Sequence, residues 1–152
     1  MKKMFLTLCV AVALISGHTA WAAHVTETEA TARLKAALSQ SFTSATHVRW
    51  YTDDQKVFTA KFLVGETQVS AYFDADGTLL STRRYITEEQ LPLAVVTKVK
   101  KRYPSHEVRS TVELDAGNTT TYYITLEAEN SWMVLKSDSN GQLSVYQRLK
   151  KA

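Results

Sequence analysis

The chain has 152 residues, 45% of them hydrophobic and 22% charged, with 18 lysines and arginines against 15 aspartates and glutamates. That balance argues against a nucleic-acid coat, which needs a stripe of basic side chains with interleaved aromatics. The length suffices for a hydrophobic core in one compact domain, or in two small halves that share one.

The opening residues Met1, Lys2, Lys3 and Met4 are cationic, and an apolar run follows over residues 5–15. Ala20-Trp21-Ala22 then supplies a small-x-small cleavage pattern. The apolar run covers 11 residues, about half of the roughly 20 that span a bilayer as a helix. Residues 1–22 therefore read as a secretory signal, with the mature chain, residues 23–152, starting at Ala23 and carrying no membrane span. The expected location is the periplasm or the medium. Cys9, the only cysteine, leaves with the signal. Exported domains of this kind often rely on disulfides, so this one must rely on packing. Losing Lys2 and Lys3 leaves 16 basic side chains against 15 acidic ones, a nearly neutral protein.

From Thr26 the pattern is helical: Thr26-x-x-Glu29 can form a capping box, and Leu34, Ala37, Leu38 and Phe42 line one face. Four extended segments follow near 46–51, 56–63, 67–74 and 78–84, separated by Asp53-Asp54, Gly65-Glu66 and Asp74-Ala75-Asp76-Gly77. These separators have hairpin-turn chemistry. Phe58, Ala60 and Phe62 alternate with Thr59 and Lys61, and Val69, Ala71 and Phe73 with Ser70 and Tyr72. One face is thus built for burial and the other for solvent or a partner.

A second helix is predicted after Glu88-Glu89-Gln90, with Pro92 at its first position. Leu91, Val95, Val99 and Tyr103 line its buried side, and Pro104 ends it. Four more strands are predicted near 106–114, 119–128, 131–137 and 142–148. In the first of them Val108, Ser110, Val112 and Leu114 form the expected half-buried set, alternating with Arg109, Thr111 and Glu113. Phe42 matches Tyr103, Phe58 and Phe62 match Tyr122 and Leu126, Phe73 matches Ser137, and Gly77 matches Gly141. The expected fold class is therefore α+β: two helix-plus-four-strand repeats, about 26–84 and 87–148, forming one antiparallel sheet with the helices packed on one face.

The segment 69–104, with its Tyr72-Phe73-Asp74-Ala75-Asp76-Gly77 turn, Ile86-Thr87, Leu91-Pro92 and Tyr103-Pro104, resembles the PepSY-like domain family related to β-lactamase inhibitor protein (BLIP-like). Residues 136–143 echo the same closing turn. The resemblance covers nearly all of the mature chain, and it implies a periplasmic or secreted domain without chemistry of its own. The inhibitor relatives grip an enzyme with the exposed sheet face, but none of their target-binding motifs occurs here.

The residues themselves offer little to catalysis. If Gly77 held the sixth place of a calcium loop, Tyr72 and Arg83 would stand at its ends, where the site needs an acid and a bidentate glutamate. In the second copy those ends are Lys136 and Gln147. His24, His47 and His106 are far apart in sequence, short of the converging ligands of a zinc site. There is no Gly-x-Ser-x-Gly elbow and no glycine-rich phosphate loop. No enzyme activity, cofactor or metal is expected.

What remains is a binding module for another exported protein, as an inhibitor or regulator. Its candidate contact residues are Lys61, Tyr72, Tyr123, Trp132, Val134 and Tyr146, centred on Tyr72 and Trp132, on the sheet face away from the helices. The alternative is a structural or envelope-stress protein acting through homo-oligomerisation, with a homodimer compatible with the same face.

Overall fold

The structure, a computed structural model, describes residues 26–151. The expected signal, the expected mature start at Ala23 and His24 lie outside the described residues. Within them the chain forms nine strands and two α-helices: β1 (Thr26–Glu27), α1 (Ala32–Ser41), β2 (Ala45–Thr52), β3 (Val57–Val64), β4 (Thr67–Asp74), β5 (Leu79–Ile86), α2 (Leu93–Arg102), β6 (Glu107–Ala116), β7 (Thr119–Glu127), β8 (Ser131–Asp138) and β9 (Leu143–Lys150). A 3-10 turn, Glu88–Gln90, precedes α2.

The strands make a single sheet in chain order, every neighbouring pair antiparallel. This corrects the expected two helix-plus-four-strand repeats. The described residues form mostly one nine-stranded sheet with only two helices, and β5 and β6 pair without a break from Ser81↔Ala116 to Ile86↔Thr111. A ninth strand, β1, occupies the stretch where the first helix was to begin, because Thr26 and Glu27 pair with Thr52 and Tyr51, and the Thr28 N–H donates to the Trp50 carbonyl at 2.9 Å. The helix starts instead at Ala32, capped by the Thr31 hydroxyl accepting from the Leu34 N–H. The reach-back expected of Glu29 occurs elsewhere: Gln90 accepts from the Thr87 N–H at 2.9 Å ahead of α2.

Alternation in β3 and β4 turns Ala60, Phe62, Val69, Ala71 and Phe73 toward α1, where Leu34 and Leu38 close over them. Trp50 joins from β2, its ring 5.6 Å from that of Phe73. A second cluster packs Val95 and Val99 of α2 on Tyr122, Ile124, Leu126, Met133 and Leu135. Both helices end where an aromatic residue folds back, with the Phe42 and Tyr103 N–H groups each bonded to the carbonyl four residues earlier. Burying each large side chain here contributes roughly 1.5–3 kcal/mol, and without a cysteine among the described residues these two clusters carry the stability.

The register runs Val69↔Arg84↔Glu113↔Tyr122, which puts both helices on one face of the sheet. Between the two cores that face is polar. Arg84 Nε donates to Glu113 Oε1 at 2.5 Å, and Asp115 accepts from the Thr120 hydroxyl at 2.5 Å. The Glu113 carboxylate raises the pKa of Arg84, and burial, reinforced by Glu113 and Asp115, raises that of the Tyr122 phenol.

The set expected to be buried in β6 is inverted. Thr111 and Glu113 lie in the interior, whereas Val112 and Leu114 face the open side of the sheet. A bulge between Val108 and Ser110 is the cause: it lets Val108 pack against the α2 cluster and reverses the alternation beyond it.

Candidate functional site

The face away from the helices carries the side chains that alternate with the core. Lys61, Tyr72, Tyr123, Trp132 and Val134 all occupy it by register, and Tyr146 joins them through ring contact with Tyr123. They form two groups. Tyr123 and Tyr146 meet edge to face, with centroids 5.1 Å apart. Val134 stands opposite Thr125, and Trp132 opposite Glu127 on one side and Leu149 on the other. A bulge in β9 between Val145 and Gln147 turns Tyr146 outward, leaving it 63% exposed.

Trp132 is roofed by Lys151. Lys151 Nζ lies 5.0 Å from the centre of the Trp132 ring and donates to Glu127 at 2.5 Å, while its backbone N–H bonds the Asn130 carbonyl. Arg109 binds the other Glu127 oxygen. Lys151 first, then Arg109, holds the Glu127 carboxyl below its ordinary pKa.

Lys61 and Tyr72 belong to the second group. The Lys61 ammonium sits 4.7 Å above the Tyr51 ring, and Tyr72 stands between Thr59 and Ser81. β5 and β6 separate the two groups, and they carry the residues that the sequence reading missed. Tyr85, 53% exposed, continues through Val112 to Tyr123 along one cross-strand row, and Leu114 lies beside it. Arg83 donates to the Tyr85 hydroxyl at 2.8 Å, its guanidinium 5.2 Å from the ring. Extending the fourth predicted strand to Ile86, the next large apolar residue, would have placed Tyr85 with Arg83 on this face.

The turns that brush the calcium pattern spend their acids on the backbone. Asp74 Oδ1 accepts from the N–H groups of Asp76 and Thr78, and Asp138 Oδ1 from those of Asn140 and Gln142. Asp76 pairs with Arg33 at 2.9 Å. The Thr78 N–H is the main reason why the Asp74 carboxyl stays below its ordinary range. Calorimetric titration with calcium is therefore expected to show no micromolar or tighter site at either turn; such a site would overturn that reading of the loops.

His47 is exposed in β2, and His106 packs against Tyr103 at the foot of α2, so the two do not converge. No group of three or more histidines and acids able to hold a metal occurs among the described residues. No helix among them is long and apolar enough to cross a membrane.

No family model matches the chain, and no curated protein matches it. Its fold is similar to solved structures. One is a BLIP-like protein from Bacteroides fragilis, 20% identical, with a TM-score of 0.68 over 81% of this chain and 87% of that one. Another is a DUF2874 family protein from Bacteroides uniformis, 16% identical, with a TM-score of 0.67 over 80% and 90%. A third, a candidate periplasmic protein from Bacteroides eggerthii, is 14% identical, with a TM-score of 0.67 over 81% and 90%. These likenesses support the BLIP-like part of the sequence resemblance at the level of fold and do not show its PepSY part.

Proposed function

We propose that this chain is an exported, non-catalytic module that binds another periplasmic or secreted protein through the open face of its sheet. The observation that carries the reading is the cluster of Tyr123, Tyr146, Val134 and Trp132 on a face that neither helix covers. Rigid aromatic side chains bury large areas at little entropic cost, which makes them frequent interface anchors. The likeness to a BLIP-like fold and to a candidate periplasmic protein supports the same reading. Residues 1–22 act in it as the export signal, and residues 23–152 as the working module.

Capturing a partner from periplasmic extract and measuring its affinity for variants tests the proposal. Tyr146→Ala should weaken binding by about 2 kcal/mol, roughly thirtyfold, with the melting temperature nearly unchanged because its ring is mostly exposed. Trp132→Ala should do the same, with a small loss of stability from the lost Lys151 contact. Full affinity in both variants would place the contact on the helices or the hairpin loops.

Homo-oligomerisation through an open edge is the second reading, favoured by β9, an edge strand exposed from Ser144 onward. Its bulge and its Arg148 and Lys150 are the devices that discourage strand pairing. Size-exclusion chromatography separates the two readings, and a monomer is the expected result.

A further inference from the structure

Basic side chains gather on the open face although residues 23–152 carry nearly equal numbers of basic and acidic side chains, 16 against 15. Arg49 of β2 stands directly opposite Lys61 of β3, whose other neighbour, Ser70, stands opposite Arg83 of β5. Three cations thus share one cross-strand row, spanning three strand spacings or roughly 14 Å. Arg49, Lys61 and Arg83 have no acidic partner among the described residues, and neither does Lys136 in the neighbouring row. Acids on and beside this face are committed or peripheral, and Glu29, which shares a surface depression with Arg49, pairs with Lys35. Glu127 is held by Arg109 and Lys151, Asp74 and Asp138 bond their own turns, and Glu27 sits on the two-residue edge strand.

Like charges directly opposite one another in a sheet are destabilising. Here the Lys61 ammonium leans over Tyr51, which relieves the repulsion only in part. The pair also depends on an irregularity. A β2 bulge between Thr46 and Arg49, with His47 in the left-handed region at φ 55, turns Arg49 onto the open face as well as Trp50 into the core. Without that extra residue Arg49 would face α1. Tyrosines flank the row on both sides, with Tyr51 and Tyr72 in one direction and Tyr85 and Tyr123 in the other.

Resting on the open-face reading above, we propose that the Arg49–Lys61–Arg83 row makes this face a receptor for an acidic segment of a protein partner, whose carboxylates pair with the row while its apolar groups meet the tyrosines. Charge complementarity selects the acidic class. Tyrosines on both sides favour a protein over a polyanion or a lipid surface, since a short row of cations bounded by aromatics matches a protein interface better than an extended basic stripe.

Binding of a glutamate–tyrosine copolymer and a length-matched lysine–tyrosine copolymer to the mature protein tests this, with heparin and anionic phospholipid vesicles as competing probes. The acidic copolymer should bind, and binding should weaken as salt rises from about 0.05 M to about 0.3 M. The basic copolymer should not bind. The triple variant Arg49→Glu, Lys61→Glu, Arg83→Glu should bind the acidic copolymer at least about tenfold more weakly. If that variant does not fold, the corresponding triple glutamine variant should show a loss of the same sign. Lys61→Glu alone should raise the melting temperature by about 1–3 °C, because a repelling pair becomes an attracting one. A merely structural role for Lys61 would give the opposite shift.

Equal binding of both copolymers, preference for heparin or vesicles, or full binding by the triple variant would overturn the inference. Failure of the open-face reading looks different. If Tyr123→Ala with Tyr146→Ala loses the captured natural partner while the charge variants keep it, the face stands and only the acidic class falls. If all variants keep the partner, both fall.

Discussion

Replacing Gly141 with alanine is expected to cost about 3 kcal/mol of stability, and the same change at Gly77 roughly half of that. Both glycines close Asp-initiated turns in the left-handed region, Gly141 at φ 77 and Gly77 at φ 84, so each alanine incurs the same backbone penalty of roughly 1–2 kcal/mol. The difference lies in what a new Cβ would meet. At Gly141 it would come 2.7 Å from the Ala94 carbonyl oxygen of α2 and 3.0 Å from the carbonyl carbon. Backbone on both sides would have to yield, lifting the β8–β9 turn from the helix. At Gly77 the nearest atom, 3.3 Å away, is Cγ of Arg33, a flexible side chain that can move. Chemical denaturation of the two variants checks this, and equal losses would mean that the turn and α2 do not touch as described.

The second large effect is expected in the polar seam between the two cores. The Glu113 side chain is only 10% exposed, and its partner Arg84 is 46% exposed. Arg84→Met would leave the buried carboxylate without its cation. Fully buried pairs lose about 3–5 kcal/mol when one partner goes, and Arg84's exposure brings the expected cost to roughly 2 kcal/mol. The double change Arg84→Met, Glu113→Leu should recover much of that loss, since the two apolar side chains would join the flanking clusters. A double-mutant cycle by denaturation measures the coupling. Additive costs would show that the ion pair contributes no stability and that the seam is held by its neighbours alone.

The seam also explains where the sequence stopped being legible. Strands β3 and β4 read correctly because Phe58, Ala60, Phe62 and Val69, Ala71, Phe73 alternate without interruption over a single helix. β6 did not, because it lies between the helices, where Glu113 is buried by pairing with Arg84 and not by hydrophobicity. Val112 and Leu114 then look like core while facing the open side. Nothing in the local pattern announces the bulge at Arg109 that makes the inversion, since a bulge is fixed by pairing with β7. The start of α1 was misread for a related reason: Thr26-x-x-Glu29 has the letters of a capping box, but pairing with β2 claims those residues first.

The candidate face was legible at the level of single strands and not as a surface. Alternation placed Tyr72, Tyr123, Trp132 and Val134 on the open side, yet it carries no information about distance between strands. The chain order of the sheet sets Tyr72 three strands away from Tyr123, and Arg83, Tyr85, Val112 and Leu114 fill the interval. The surface is therefore a broad aromatic and basic field, with Tyr123, Trp132 and Tyr146 on β7–β9 and the Arg49–Lys61–Arg83 row across β2–β5.

Hydroxyl-radical footprinting of the module with and without its captured partner decides which side of the sheet binds, because it reports side chains and so separates the two faces of one strand. Protection of Tyr85, Tyr123, Trp132 and Tyr146 is expected, with Leu93 on α2, 80% exposed, remaining as reactive as in the free protein. Protection of Leu93 with the four aromatic residues unchanged would contradict the open-face reading and move the binding surface to the helix side.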